Sequence, residues 1–331
     1  MKKILIIRFS SIGDIVLTTP VVRSLKNRYP GAEIHYLTKA GNLPLLQSNP
    51  YISKIWLYRK NFSELIPQLQ KEKFDFIADL HKNLRSLFVI GMLRRPFASF
   101  RKLNFRKWLL VRTKINLMPP VHIVDRYMKV AEKAGAVNDG KGLDFFIAPE
   151  DEMDILALPP PFCSGYLAFV IGGKHNTKLF PAAKIIEVIN LLNVPVILMG
   201  GKEDHARGEM ITGKCSRTVL NSCGNYTIGQ SASLIRQARV VITNDTGLMH
   251  IAAAFKKTIV SIWGNTVPAF GMYPYFPFSN KPDSLLSEVK NLYCRPCSKI
   301  GYEICPEGHF RCMMDQDIRK IAGFVNERRS L

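Results

Sequence analysis

Val240-Val241-Ile242-Thr243-Asn244-Asp245-Thr246-Gly247-Leu248-Met249-His250-Ile251-Ala252-Ala253-Ala254 reads as a buried strand, a polar turn and a helix. Val240, Val241 and Ile242 form a β-branched run suited to a strand covered on both faces. Thr243, Asn244, Asp245 and Thr246 are turn and cap residues. Gly247 lets the backbone come close to a ligand. Ile251-Ala252-Ala253-Ala254 continues as a small-residue helix that can pack tightly on a sheet. In a parallel α/β sheet this turn lies at the carboxyl edge, where ligands bind. The free N–H groups and the dipole of a helix start favour an anion there. Asp245 and His250 bracket the turn, so a ligand with hydroxyls as well as a phosphate fits it. Taken singly, Asp245 or Thr246 also reads as an ordinary cap, and His250 as a packing histidine.

Outward from this turn, strand and helix patterns alternate. Strands are predicted at residues 3–8, 33–38, 52–57, 74–80, 166–171, 194–199, 239–243 and 258–263. Helices are predicted at about 15–28, 64–71, 123–134, 181–192, 231–237 and 317–328. That alternation is the βαβ signature of parallel sheets. Residues 149–164, with Pro159-Pro160-Pro161, read as a linker. The chain therefore divides into an N-terminal domain, 1–155, and a C-terminal domain, 156–331, each long enough for its own core. A cleft between two such domains binds ligands and closes by hinge motion.

The charge is uneven. Of a net +20, residues 1–150 hold 26 Lys and Arg against 11 Asp and Glu, and the remainder holds 20 against 15. The front half therefore faces something anionic. Residues 82–114 contain ten basic residues and no acid, interleaved with Phe88, Phe97, Phe100, Phe105 and Trp108. Such a stretch suits an anionic membrane interface, a single-stranded nucleic acid or a plain solvated face. Lys2 and Lys3 precede an apolar run too short for a signal-peptide core, and residues 87–93 are too few to cross a bilayer. A cytoplasmic protein is expected. Four of seven cysteines, Cys294, Cys297, Cys305 and Cys312, fall in one span near His309. Structural zinc, packed free thiols and, less suited to a cytosol, disulfides stay open.

Three further constellations carry chemistry. In Ser10-Ser11-Ile12-Gly13-Asp14, Asp14 is either a helix cap or a general base facing the cleft. Gly13 leaves room for substrate beside the backbone. In Gly172-Gly173-Lys174-His175-Asn176-Thr177-Lys178-Leu179-Phe180-Pro181, the glycines and Lys178 suit a phosphate, although the spacing is not that of a Walker A loop. No G-x-G-x-x-G follows the first strand, which argues against a dinucleotide oxidoreductase. In Gly200-Gly201-Lys202-Glu203-Asp204, Glu203 either meets ribose hydroxyls or complements a helix dipole. Glycine at the ends of these strands, and Gly264 after another, leaves room along one edge for a nucleotide.

With these residues in view, the chain resembles the ADP-heptose:lipopolysaccharide heptosyltransferases, glycosyltransferase family nine. The resemblance is carried by residues 6–14, residues 74–86 (Phe74 to Ser86, including Asp79, His81 and Asn83), residues 177–181, residues 244–250 and the late cysteine cluster. One departure is Phe180, where the family commonly has Trp. The resemblance implies a GT-B fold, two Rossmann-like domains facing a central cleft. It implies a metal-independent, inverting transfer with no cofactor. Asp14 would be the catalytic base. The donor set would be Ser10, Ser11, Gly13, Gly172, Gly173, Thr177, Lys178, Gly200, Gly201, Glu203, Asp245, Thr246, Gly247, Leu248 and His250. Asn83, Arg85, Ser86, Arg101 and Lys102 would face the acceptor. The donor would be ADP-heptose, the acceptor an anionic lipid A core bearing Kdo, and the place of work the cytoplasmic face of the inner membrane, without nucleic acid. A GT-B enzyme using another nucleotide sugar, for transfer or epimerisation, and a non-catalytic basic binding module are the alternatives.

Overall fold

The computed structural model describes residues 1–59 and 61–328. In chain order the first half contains β1 (Lys3–Ile7), α1 (Ile12–Val16), α2 (Thr19–Arg28), β2 (Glu33–Lys39), β3 (Lys54–Tyr58), α3 (Leu65–Lys71), β4 (Phe76–Asp79), α4 (Leu84–Leu93), β5 (Phe97–Ser99), α5 (Asn104–Thr113) and α6 (Ile123–Glu132). The second half contains β6 (Leu167–Val170), α7 (Ala182–Leu191), β7 (Val196–Met199), α8 (His205–Thr212), β8 (Val219–Asn221), α9 (Ile228–Gln237), β9 (Val240–Asn244), α10 (Gly247–Ala254), β10 (Thr258–Trp263), β11 (Ser284–Glu288), α11 (Arg311–Met314) and α12 (Ile318–Asn326).

The strands form two sheets, β3-β2-β1-β4-β5 and β11-β10-β9-β6-β7-β8. Every pairing is parallel. β1, β4, β6, β7 and β9 are almost wholly buried, which explains why their sequences are unbroken apolar runs rather than alternating ones. The short edge strands β5 and β8 have no fully buried residue, and so left no hydrophobic pattern to read.

Two expectations need correction. The helix expected over residues 15–28 is two helices. Thr18 and Thr19 hydroxyls donate back to the carbonyls of Ile15 (2.6 Å) and Val16 (2.8 Å), and Pro20, lacking an N–H, restarts the helix near its first turn. The expected linker is tied to the second half. Glu152 pairs with Arg236 at 2.6 Å, and Thr227 donates to Asp151 at 2.6 Å, pinning the linker to α9. The C-terminal helix, with room to pack back on the N-terminal domain, does not do so. Instead Ile321, Ala322 and Val325 of α12 join the core of the second sheet, with Leu192, Val196 and Val240.

The largest apolar cluster ignores the domain division. It runs from Ile4 and Ile6 through Ile15, Val21 and Tyr127 to Tyr166, Ala168, Ile235 and Ile251. The inner faces of both sheets, with α1, α2, α6, α9 and α10, thus share one continuous core.

Candidate active site

In each sheet the strand order reverses once: between β1 and β4 in the first, and between β9 and β6 in the second. Such switch points open a crevice at the carboxyl ends of the strands. Arg8 and Asp14 follow β1, His81 follows β4, the Gly172–Lys178 turn follows β6 and Asp245 follows β9.

On the first side the centre is Arg8. Its Nη2 lies 2.8 Å from Asp14 Oδ1. Its other nitrogens donate to the Ser10 carbonyl (2.7 Å), the Tyr127 hydroxyl (3.0 Å) and the Leu80 carbonyl. The second Asp14 oxygen accepts from the Ser11 hydroxyl (2.9 Å) and the Ser11 N–H (3.2 Å). Burial pushes the Asp14 carboxyl up, but Arg8 and the Ser11 bonds outweigh it and hold the group below its ordinary value. Asp14 is therefore a carboxylate at neutral pH, and about a fifth of it is exposed. It also caps its own helix turn through Ser11, so cap and base readings coexist in one side chain. Beside it, His81 packs edge-on to Phe9 at 5.4 Å, and burial together with the charges of Arg8 and Lys102 lowers its pKa to about 4.

On the second side Lys178 Nζ lies 2.6 Å from Asp245 Oδ2, which also accepts from the Thr266 hydroxyl at 2.9 Å. Neighbouring Asn244 is structural: it is buried, and its Oδ1 accepts the Phe180 N–H at 3.1 Å. Each half thus presents one acid and one base, already paired.

The two halves meet at glycine. A Cβ on Gly13 would lie 2.6 Å from His250 Cδ2 and 3.3 Å from Gly247 Cα, and one on Gly247 would lie 2.7 Å from Ile12 Cγ2. What approaches these glycines is the opposite domain, where the sequence suggested a ligand. His250 is buried, and its Nδ1 has no hydrogen-bond partner among the described residues. Burial lowers its pKa to about 4 although Asp245 and Asp14 both oppose this. A neutral imidazole therefore lies within electrostatic reach of Asp14, Asp245 and Lys178. Lys107 reaches the same region from α5. Its Nζ sits 5.4 Å from the centre of the Phe270 ring. Burial, Arg126 and Lys299 bring its pKa down to about 8 against the pull of Asp14 and Asp245.

Other expected site residues are occupied differently. Thr177 is buried, and its hydroxyl donates to the Tyr302 carbonyl (3.0 Å) and accepts the Tyr302 N–H (2.8 Å), so it fixes a loop and is not turned to a donor. Asn83 and Ser86 form a reciprocal cap on α4, each bond 3.0 Å, and Ser86 is fully buried against Asp79, which leaves Ser86 turned inward while Asn83 stays half-buried. Gly172, Gly200 and Gly201 surround the buried Asp204 carboxylate, which accepts the Gly201 N–H at 2.9 Å, so part of the glycine-lined edge is filled by protein. Gly173 abuts Leu179 and Thr246, and Leu248 packs on the shared core. Ser10 supplies only its carbonyl to Arg8, while Glu203 is exposed beside Gly201. Arg85 and Arg101 are exposed, and Lys102 is half-buried. Burial, Arg8 and Lys82 lower the Lys102 pKa, and Asp79 and Asp14 act against them.

Sequence reasoning missed Arg8, Lys107, Thr266 and Arg207. Arg207 donates to the Ile171 carbonyl at 3.0 Å and to the Phe180 carbonyl, bracing the turn that carries Lys178. Only Arg8 had a signal: a charge directly after a buried strand must find partners. The seven cysteines are free thiols. Cys294 Sγ lies 3.8 Å from His309 Nε2. Among the described residues the one set of three potential metal-ligand atoms within 4.8 Å of one another is Glu33, His35 and Glu72, away from the cysteines. Glu72 is held there by Lys3 and Lys54.

Two parallel sheets with facing switch points, meeting at Gly13 and Gly247, form the GT-B architecture. The chain belongs to glycosyltransferase family 9 (heptosyltransferase), whose family profile matches residues 62–302. It is 26% identical over 295 residues to lipooligosaccharide heptosyltransferase 2 of Haemophilus ducreyi, covering 81% of this chain and 85% of that one. It is 25% identical to lipopolysaccharide heptosyltransferase 3 of Escherichia coli, covering 81% and 84%. Among solved structures, the E. coli ADP-heptose LPS heptosyltransferase II superposes with a TM-score of 0.73 at 22% identity, over 99% of this chain and 98% of the other.

Proposed function

We propose that this glycosyltransferase moves a heptose from ADP-heptose to the inner core of lipopolysaccharide, on a Kdo-bearing lipid A acceptor, with inversion and without a metal ion or other cofactor in the transfer. The observation that carries the reading is that two ion pairs, one from each half, both act on the buried His250. The ionised Asp14 stands at the first switch point and Lys178 at the second. Asp14 takes the proton of the acceptor hydroxyl as its oxygen bonds to the anomeric carbon. The bond from that carbon to the diphosphate breaks on the opposite face, and ADP departs with the electron pair. Lys178 trades the Asp245 carboxylate for the diphosphate and offsets its charge. Asp245, still held by Thr266, accepts a hydroxyl of the donor, and the N-terminus of α10 adds a favourable dipole.

The acceptor's phosphates meet the basic front half through Arg85, Arg101 and Lys102, and the enzyme works as a peripheral protein at the cytoplasmic face of the inner membrane. Among the described residues no helix is long and apolar enough to cross a membrane. The test incubates the purified full chain with ADP-heptose or UDP-sugars and a Kdo-lipid A acceptor. ADP release with a mass gain of one heptose, inverted anomeric configuration and indifference to EDTA are expected. Transfer from a UDP-sugar but not from ADP-heptose would overturn the donor. Retained configuration or loss of rate in EDTA would overturn the mechanism.

A further inference from the structure

The geometry points to one edge of the first sheet, α4, β5 and α5, as a docking surface for a bilayer rich in anionic lipid. The inference rests on the reading of a membrane-borne acceptor and locates the contact on the molecule. α4 is apolar on two sides. Val89, Ile90 and Leu93 pack into the protein, while Leu84, Leu87, Phe88 and Met92, spaced as one helical face, are exposed, Leu84 to 87%. A helix with apolar side chains turned outward as well as inward calls for a second apolar environment. α5 buries only Leu110. Its Phe105 and Trp108 rings stack with centroids 5.9 Å apart and face solvent, 72% and 49% exposed. Phe97 on the edge strand β5 is exposed as well.

The charge matches the same occupant. Arg85, Arg94, Arg95, Arg101, Arg106 and Arg112 are all exposed around these apolar side chains, and no acid occurs from residue 82 to residue 114. Aromatic rings at headgroup depth within a basic rim are the pattern of an interfacial anchor on anionic lipid. A single-stranded nucleic acid would use the rings and cations, but has no use for the aliphatic face of Leu84, Leu87 and Met92. The placement also serves the reaction. α5 presents Phe105 and Trp108 outward while Lys107 points to Phe270 and the Asp14 centre. Lys114, at the end of α5, donates to the Pro296 carbonyl of the second domain at 2.8 Å. A lipid-anchored acceptor held at this face stands beside the cleft mouth.

Trp108 reports directly on the contact, because Trp56 and Trp263 are 7% and 1% exposed. Vesicles of phosphatidylglycerol and phosphatidylcholine, added to the full chain, should shift tryptophan emission to the blue, and brominated lipid should quench it. Phosphatidylcholine alone should do neither, and salt should weaken the effect. Phe105→Ser with Leu87→Ser and Phe88→Ser should weaken vesicle binding about tenfold or more, yet leave the rate on a deacylated, water-soluble acceptor unchanged. An unmoved Trp108, or a shift produced by single-stranded DNA and not by vesicles, would overturn the proposal. Vesicle binding by a chain that transfers no sugar would leave the docking surface standing and overturn the functional reading alone.

Discussion

The Cδ2 atom of His250 stands where a side chain at position 13 would begin, 2.6 Å from the Cβ that Gly13 lacks. The domains approach through this absence. Gly13→Ala should therefore destabilise the protein by about 1–3 kcal/mol, the usual range for overpacking. His250→Ala in the same chain should recover much of that loss, because the two sites are in contact and their effects are coupled. Urea denaturation of the four variants measures the coupling. Strict additivity would mean that the domains do not meet here.

Arg8 is 7% exposed and makes bonds to Ser10, Leu80, Tyr127 and Asp14. Arg8→Met leaves a carboxylate without its cation and should cost about 3–5 kcal/mol, as breaking a buried pair does. The pH dependence has a definite sign. The folded pKa of Asp14 lies below its unfolded value. The pair therefore stabilises the fold above the unfolded pKa, about 3.9, and that stability is lost as pH falls through the lower folded value. In the methionine variant only the Ser11 bonds still oppose burial, so the acidic limb of the rate profile should move up in pH. A limb that stays in place would break the link between Arg8 and the base.

Asp14→Asn retains the shape of the side chain while removing the proton acceptor. Turnover should fall by roughly 10²–10⁴, with donor affinity and melting behaviour nearly kept. ADP release gives the rate and a thermal shift with ADP-heptose gives the binding. Near-normal turnover would disprove the assignment of the base.

Lys178 and Asp245 are 2.6 Å apart, and Thr266 donates to the same Asp245 oxygen. Lys178→Met should raise the donor KM and lower kcat, since the developing diphosphate charge loses its partner. Asp245→Asn frees Lys178, so ADP itself should bind more tightly while the complete sugar nucleotide gains less. Titration calorimetry with ADP and with ADP-heptose separates the two. Equal gains for both would remove Asp245 from the sugar side.

The buried strands could be read from the sequence because they are apolar runs, and the turns after them because glycine, proline and capping residues mark them. β9 and the Asp245 turn are the clearest case. What sequence could not show was whom each residue meets. Gly13 and Gly247 advertise close approach, but the approaching group lies more than two hundred residues away. Thr177 looks like a donor ligand until Tyr302, on a patternless loop, takes both its bonding directions. Asn83 and Ser86 satisfy each other locally, a spacing that also suits a binding motif. Lys107 was hidden because a lysine in a basic run carries no sign of which one points inward.

The apolar cluster that joins the inner faces of both sheets decides how this enzyme breathes. Swinging the halves wide apart would wet Ile15, Ile235 and Ile251 together, and water charges for every square ångström of such surface. Small sliding displacements of α1 against α10 are cheaper, so the accessible motion is a shear that leaves the oily seam shut. On the proposed function, the donor would enter along the ends of β6 and β9 and the acceptor along α5. Turnover would be timed by the loosening of that rim and not by the parting of two lobes.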